Sequence, residues 1–411
     1  MSKLSTNILS LTVVQLITYI SPIIALPYLS RTLNVESFGL AMLMMSIIII
    51  SNLLTDFGFN LYSPHWIANN SNNKNKISKH ISAIFVLKTI LFFLTSILLL
   101  IYFLTTKNIT SNKNTLYWVT VLALLSQTFQ IIWFFQGIEK MLNITYLTFL
   151  SKLSYILFIV LIVKDENDVA EVVLSYALSN IIATIFGILI FYRLGFKIKA
   201  STSIEVLTIL KKSFPFFLSR AAVSIYTSAS TLIIGSSAGL TQAALYSSAE
   251  KLYQAGQSLS FPISQALYPY LARTKNILAF YKFILTLIPP LIISIGVIYY
   301  FSTDIIIIFY GVEYSDASDI LRIFLITTIV NFVAVNFGYP AFSIISRLDI
   351  ANNSVILAAI VQLIMIIFLY FDGSITAKNI AITVLITELF VMLIRVLLFL
   401  RISKRALYEY K

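Results

Sequence analysis

Thr89-Ile90-Leu91-Phe92-Phe93-Leu94-Thr95-Ser96-Ile97-Leu98-Leu99-Leu100-Ile101-Tyr102-Phe103-Leu104-Thr105-Thr106 runs without an Asp, Glu, Lys or Arg. Crossing a bilayer core takes about 20 mostly apolar residues in a helix, so this stretch reads as a membrane span. Eight further windows share the property: Leu4 to Ser30, Ser37 to Thr55, Asn114 to Ile138, Val172 to Tyr192, Ala221 to Ala249, Phe283 to Thr303, Ile323 to Ser346 and Ile350 to Phe371. Three more spans tolerate a charge: Met141 to Val163 holds Lys152, Ser213 to Gly235 holds Arg220, and Asn379 to Leu400 holds Glu388 and Arg395. The Arg220 span competes with the long window ending at Ala249, and the natural division lies between Gly235 and Gly239. The chain therefore predicts an all-α integral membrane protein of about twelve transmembrane helices.

Composition points the same way. Of 411 residues 59% are apolar and 11% charged, against about a quarter charged in soluble domains. The first apolar segment is too long for a signal-peptide core and lacks a small-residue cleavage site, so it reads as an uncleaved helix. Without cysteine there is neither a disulfide nor a thiolate site, and His65 and His80 are too few to suggest a histidine metal centre. The net charge of +12 would suggest nucleic acid in a soluble protein. In a membrane protein it reports orientation, because Lys and Arg accumulate in cytoplasmic loops. With the amino terminus inside, 18 of the 29 basic residues fall on the cytoplasmic side, so both termini are expected there, with no nucleic-acid partner.

The hydrophilic joints are short, the most polar being Asn69 to Lys79 and the linker from Arg193 to Lys212. That linker lies mid-chain, which divides the protein into two expected bundles of six helices, residues 1–200 and 201–411, around a central cavity. Leu33-Asn34-Val35-Glu36-Ser37-Phe38-Gly39-Leu40 aligns with Gly239-Leu240-Thr241-Gln242-Ala243-Ala244-Leu245-Tyr246. Six spans per half is even, so the repeat would be parallel. Prolines at 22, 27, 215, 262, 269, 289, 290 and 340 predict bent helices, tolerated where neighbours or water satisfy the freed carbonyls.

A charge at mid-membrane costs about 3 kcal/mol on insertion scales, so Lys88, Lys152, Arg220, Lys251 and Arg395 require partners or water. Lys88 and Lys152 lie near enough to predicted interfaces to snorkel, whereas Arg220, between Phe216-Phe217-Leu218 and Ala221-Ala222-Val223, does not. Asp56, Glu250 and Glu388 are the acidic counterparts, candidates for ion coupling because a desolvated carboxylate exchanges protons more readily at neutral pH. For Glu388 the simpler reading is a counter-ion to Arg395, two turns along one face. Glu250 and Lys251, adjacent in a helix, point apart and address different partners. A basic lumen suits an anionic cargo, since Arg and Lys match phosphate oxygens. Asp56-Phe57-Gly58 spells a kinase magnesium motif, but no glycine-rich or catalytic loop accompanies it.

Leu26-Pro27-Tyr28-Leu29-Ser30-Arg31, Asp56-Phe57-Gly58-Phe59-Asn60, Trp133-Phe134-Phe135-Gln136-Gly137-Ile138-Glu139-Lys140, Pro215-Phe216-Phe217-Leu218-Ser219-Arg220 and Tyr246-Ser247-Ser248-Ala249-Glu250-Lys251-Leu252 together resemble the polysaccharide flippases of the Wzx type. These belong to the multidrug/oligosaccharidyl-lipid/polysaccharide exporter superfamily. The resemblance implies alternating access at the bacterial inner membrane and an undecaprenyl-pyrophosphate-linked O-antigen repeat unit as cargo, with no catalysis and no cofactor beyond a proton or sodium gradient. It implies that Arg31, Arg220 and Lys251 hold pyrophosphate or acidic sugars, and that Asp56 and Glu250 couple an ion. Partners on this reading are membrane lipids, an O-antigen polymerase and a chain-length regulator. A multidrug exporter of the same superfamily is the alternative, but it would want cavity carboxylates, and bases outnumber acids in the spans. A polymerase would want a substantial outer loop, and none is present.

Overall fold

The computed structural model describes residues 3–106, 112–227 and 229–409, and the regular structure among them is helical. Cα packing divides the chain into two units, Met1–Ser224 and Ile225–Lys411. The division falls one helix beyond the linker, because the helix that follows the linker packs with the first unit.

In the first unit the helices are α1 (Lys3–Thr32), α2 (Val35–Asp56), α3 (Phe59–Asn69), α4 (Lys74–Thr105), α5 (Lys113–Thr128), α6 (Ile132–Gly137), α7 (Met141–Ile162), α8 (Val169–Arg193) and most of α9 (Ser203–Thr227). The second unit holds α10 (Ala229–Ser237), α11 (Leu240–Thr274), α12 (Ile277–Tyr300), α13 (Ser302–Tyr310), α14 (Ala317–Asn336), α15 (Tyr339–Ile344), α16 (Leu348–Phe371) and α17 (Ala377–Glu409). Among the described residues ten stretches are long and apolar enough to cross a membrane. The other two of the expected twelve are α9 with α10, and α11, whose many Ser, Gln and Tyr residues lower its hydropathy. The seventh and eighth spans part between Ser237 and Leu240, with Gly239 at φ 101°.

Helix starts follow from short polar side chains that accept otherwise orphaned backbone N–H groups. Asn34 accepts from Ser37 at 2.8 Å, Asn73 from Lys76 at 3.0 Å and Asn276 from Ala279 at 2.9 Å. After the linker, Thr202 and Glu205 form a reciprocal capping box: Thr202 N–H donates to Glu205 Oε2 at 2.8 Å, and Glu205 N–H to Thr202 Oγ1 at 3.3 Å. The abundance of asparagine in this chain thus has a structural use at helix ends.

Three spans are broken inside the apolar region. The second breaks between α2 and α3 at Phe57 and Gly58, both left-handed (φ 44° and 80°). The fourth breaks between α5 and α6 at Phe129 to Ile131, and the tenth between α14 and α15 at Phe337 and Gly338. Pro340 therefore opens the short helix α15 rather than bending a continuous one. Pro22 and Pro27 lie inside α1, Pro215 inside α9, and Pro289 and Pro290 inside α12; the side chains of Pro262 and Pro269 lie outside the described residues.

The two units repeat one turn in backbone detail. After α6 the N–H of Lys140 reaches Phe135 O at 2.9 Å and that of Glu139 reaches Gln136 O, with Glu139 left-handed. After α15 the N–H of Arg347 reaches Phe342 O at 3.0 Å and that of Ser346 reaches Ser343 O, with Ser346 left-handed. Each is a helix-terminating turn that satisfies the last carbonyls. This correspondence supports duplication better than sequence alignment does, since composition alone makes apolar helices resemble one another.

Candidate functional site

A broken helix exposes backbone carbonyls and N–H groups that lipid cannot satisfy, so each break must find partners within the protein. In the first unit the partner is Lys88. Its ammonium, 2% exposed, donates to Thr128 O at 2.8 Å, in the last turn of α5, and lies 3.9 Å from Asp56 Oδ1 and 6.0 Å from the Trp133 ring centroid. Asp56 ends α2, and its carboxylate sits electrostatically close to the Gly58 and Asn60 N–H groups that open α3. One buried ion pair therefore joins two helix breaks.

Onto this joint docks α9. Phe57 stacks on Phe217 with centroids 4.6 Å apart and planes within 10°, and it also meets Phe214. Gly58 makes the approach possible: a Cβ there would lie 2.7 Å from Phe217 N and 2.8 Å from Ser213 O. Docking brings Arg220 into electrostatic range of Asp56, while leaving Arg220 itself exposed. Asp56, Lys88 and Arg220 are thereby gathered in one unit, together with Trp133. Asp56 Oδ1 and Trp133 Nε1 are buried with no hydrogen-bond partner among the described residues, so the protein leaves polar capacity open here. His80 serves packing: it stacks on Trp66 at 3.9 Å and lies 3.2 Å from Ser63 Oγ.

The second unit solves the corresponding problem with a guanidinium. Arg395, buried on α17, donates through Nη1 to Ala334 O at 2.7 Å in the last turn of α14, through Nε to Ser354 Oγ at 2.8 Å and through Nη2 to Ala351 O at 3.3 Å. It ties the end of α14 to the start of α16, and a Cβ on Gly338 would meet its Nη1 at 2.9 Å. The cation that holds the broken span comes from α4 in the first unit and from the last helix, α17, in the second. Arg395→Lys keeps the charge but cannot reproduce a three-armed planar fork. Its expected cost is about 1–3 kcal/mol, read as a lower unfolding midpoint in detergent, because at least one buried carbonyl loses its donor. A midpoint within a degree of the parent would contradict the clamp.

The remaining candidates are distributed. Glu388 accepts from Asn331 at 2.9 Å and stays within electrostatic range of Arg395, whose hydrogen bonds go elsewhere. Glu250 is buried and accepts from Thr231 Oγ1 at 3.4 Å. Its neighbour Lys251 donates to Gln254 at 3.2 Å, so the hydrogen bonds of the adjacent pair go to different partners while Lys251 stays within electrostatic range of Glu250. Arg31 is exposed in the last turn of α1, and Lys152 is half-buried on α7.

Neutral residues were passed over in the charge-led reading. Gln127, Gln130, Tyr176 and Asn180 line a cavity of about 310 Å³ inside the first unit, beside Lys152. The legible signal was Tyr176, Asn180 and Thr184, four residues apart on α8 and hence on one face.

A family model described as polysaccharide biosynthesis protein matches residues 4–275, which run from α1 through α11. The chain belongs to this family. Over 277 residues it is 29% identical to a protein of Escherichia coli (strain K12) named "Putative O-antigen transporter", the match covering 66% of each chain. That is just under two thirds of the relative's own length. A protein of the same name from Shigella dysenteriae is 29% identical over 275 residues, covering 66% of this chain and 68% of its own.

Among solved structures, the lipid II flippase MurJ in an inward closed conformation superposes with a TM-score of 0.73 at 15% identity, over 96% of this chain and 90% of its own. An inward-facing multidrug transporter of the MATE family gives 0.70 at 14% identity, over 98% and 99%. At such identities the likeness establishes a shared fold and nothing about activity. This polysaccharide biosynthesis family member is a multi-pass membrane protein.

Proposed function

We propose that this chain carries a polyprenyl-pyrophosphate-linked saccharide, of the O-antigen repeat-unit class, from the cytoplasmic to the outer leaflet of a bacterial inner membrane. The observation that carries the reading is Arg220. It lies seven residues into the apolar stretch that begins at Ser213, about 10 Å along the axis at 1.5 Å per residue, and is nevertheless exposed. A guanidinium at that depth faces water rather than lipid, so α9 borders a polar path and presents to it a group suited to phosphate. The naming of the E. coli and Shigella relatives supports a saccharide as the cargo, and family membership supports the same process.

On this reading Arg31, Arg220, Lys152 and Lys251 contact cargo, while Lys88 and Arg395 set the shape of the helix breaks beside it. Transport proceeds by alternating access of two six-helix bundles, with both termini in the cytoplasm. Asp56, Glu250 and Glu388 are the groups proposed to couple a proton or sodium gradient. Asp56 has the strongest claim, because it is buried with Lys88 Nζ 3.9 Å from its Oδ1 and Arg220 in electrostatic range, so a proton or sodium ion bound there would compete directly with the ion pair that joins the helix breaks.

The test is complementation in the native host. Deletion is expected to remove long-chain surface polysaccharide and to accumulate lipid-linked repeat units facing the cytoplasm, and the intact gene to reverse both. Arg220→Ala is expected to lower restored polysaccharide at least about tenfold, the loss of one charge-assisted contact to phosphate, with normal protein abundance in the membrane. Polysaccharide unaffected by deletion would refute the cargo assignment.

A further inference from the structure

The cavity of about 310 Å³ in the first unit is bounded by α1, α5, α6, α7 and α8. Its polar lining comes from the α5–α6 break, from one face of α8 and from Thr148, Ser151 and Lys152 of α7. Gln130 Nε2 donates to Asn180 Oδ1 at 2.8 Å, Ser151 Oγ donates to the same oxygen at 3.3 Å, and Asn180 Nδ2 donates to Tyr176 O at 2.8 Å. Gln127 Nε2 donates to Tyr176 Oη. These bonds hold the side chains in fixed rotamers while leaving the Gln127 and Gln130 carbonyl oxygens as unused acceptors among the described residues. Apolar walls, Ile131 and Leu147 among them, complete the lining, and Lys152 supplies its one charge.

We propose that this cavity is a subsite for a single pyranose ring of the cargo, selecting rings that carry one carboxylate. The inference rests on the transport reading above and specifies it. The volume lies at the lower end of the range for small-molecule sites, which suits one ring. Preset amides and hydroxyls beside apolar walls match a sugar's alternation of hydroxyl edges and C–H faces. Among the described residues no Asp or Glu lines the cavity, and the Lys152 ammonium there favours an anionic ring over a neutral or cationic one. A cavity left only by imperfect packing would be apolar, whereas this lining is rich in hydrogen-bonding groups.

The test reconstitutes the full chain in lipid vesicles with two polyprenyl-pyrophosphate-linked saccharides that differ only in one ring, glucuronate against glucose. The parent protein is expected to flip the acidic cargo faster. Lys152→Gln is expected to slow the acidic cargo about tenfold, the worth of one charge-assisted hydrogen bond, and to leave the neutral one within about twofold, whereas Lys152→Arg keeps the preference. Thr148→Phe, which fills the cavity, is expected to block both cargoes with an unchanged unfolding midpoint in detergent. Equal slowing of both cargoes by Lys152→Gln, or parental rates in Thr148→Phe, overturns the subsite while the transport reading survives. A parent protein that moves neither cargo overturns the transport reading and the subsite with it.

Discussion

Lys88→Met is expected to destabilise the first unit by about 3–5 kcal/mol, the usual cost of removing one partner from a buried ion pair. Three interactions go at once: the donor to Thr128 O, the counter-charge of Asp56 and the cation beside Trp133. Both breaks then carry unsatisfied groups in a region without water. Membrane abundance, the detergent unfolding midpoint and polysaccharide export should fall together. Adding Asp56→Asn removes the stranded charge and is expected to recover about half or more of the lost stability, since neighbouring groups in one network are not additive. If the single variant folds like the parent, or if the second substitution makes matters worse, the ion pair is not what joins the two breaks.

Gly58→Ala comes next, at about 2–4 kcal/mol. Part of that is the left-handed backbone, at φ 80°, which an L side chain resists by about 1 kcal/mol. The larger part is overpacking, typically about 1–3 kcal/mol, because the atoms a Cβ would meet first are backbone, Phe217 N and Ser213 O. They cannot rotate away, so α9 itself has to move. Arg220 follows Phe217 by less than one turn, and export should therefore drop further than stability alone dictates. Gly58→Asn separates the two causes: asparagine accepts the left-handed region, yet it brings the same Cβ. The close-approach account expects Asn to be about as damaging as Ala, and a well-tolerated Asn would leave backbone strain as the whole effect.

These two variants probe a joint that unites three motifs scattered along the chain. Asp56-Phe57-Gly58 makes the first break, Trp133 lies just past the second, and Phe214 to Arg220 docks against the first. The second unit repeats the helix-ending turns but recruits its clamp from α17, where the first unit uses α4. The repeat therefore conserves the requirement, a cation on the last carbonyls of a broken span, rather than the residue that meets it.

Residence in a membrane, a dozen spans, the division between the seventh and eighth at Gly239 and the list of costly intramembrane charges were all legible in the amino-acid order. Each depends on local hydropathy and on the fixed thickness of a bilayer, which a short window of residues reports. The helix breaks were not legible, because Ser37 to Thr55 and Asn114 to Ile138 are as apolar as unbroken spans, and Phe57 does not announce a left-handed conformation. Nor were the partners. Lys88 looked able to snorkel from a helix beginning at Thr89, whereas α4 begins at Lys74 and carries that ammonium deep into the bundle to a carbonyl 40 residues away. Glu388 and Arg395 do stand within electrostatic range of each other, as their spacing suggests, but the guanidinium's hydrogen bonds go to the ends of α14 and α16, which spacing along α17 does not reveal. Spacing along one helix tells which side chains share a face. Only the packing of helices far apart in sequence decides what that face meets, and in a medium without water that meeting determines whether a charge is a clamp or remains available to a cargo.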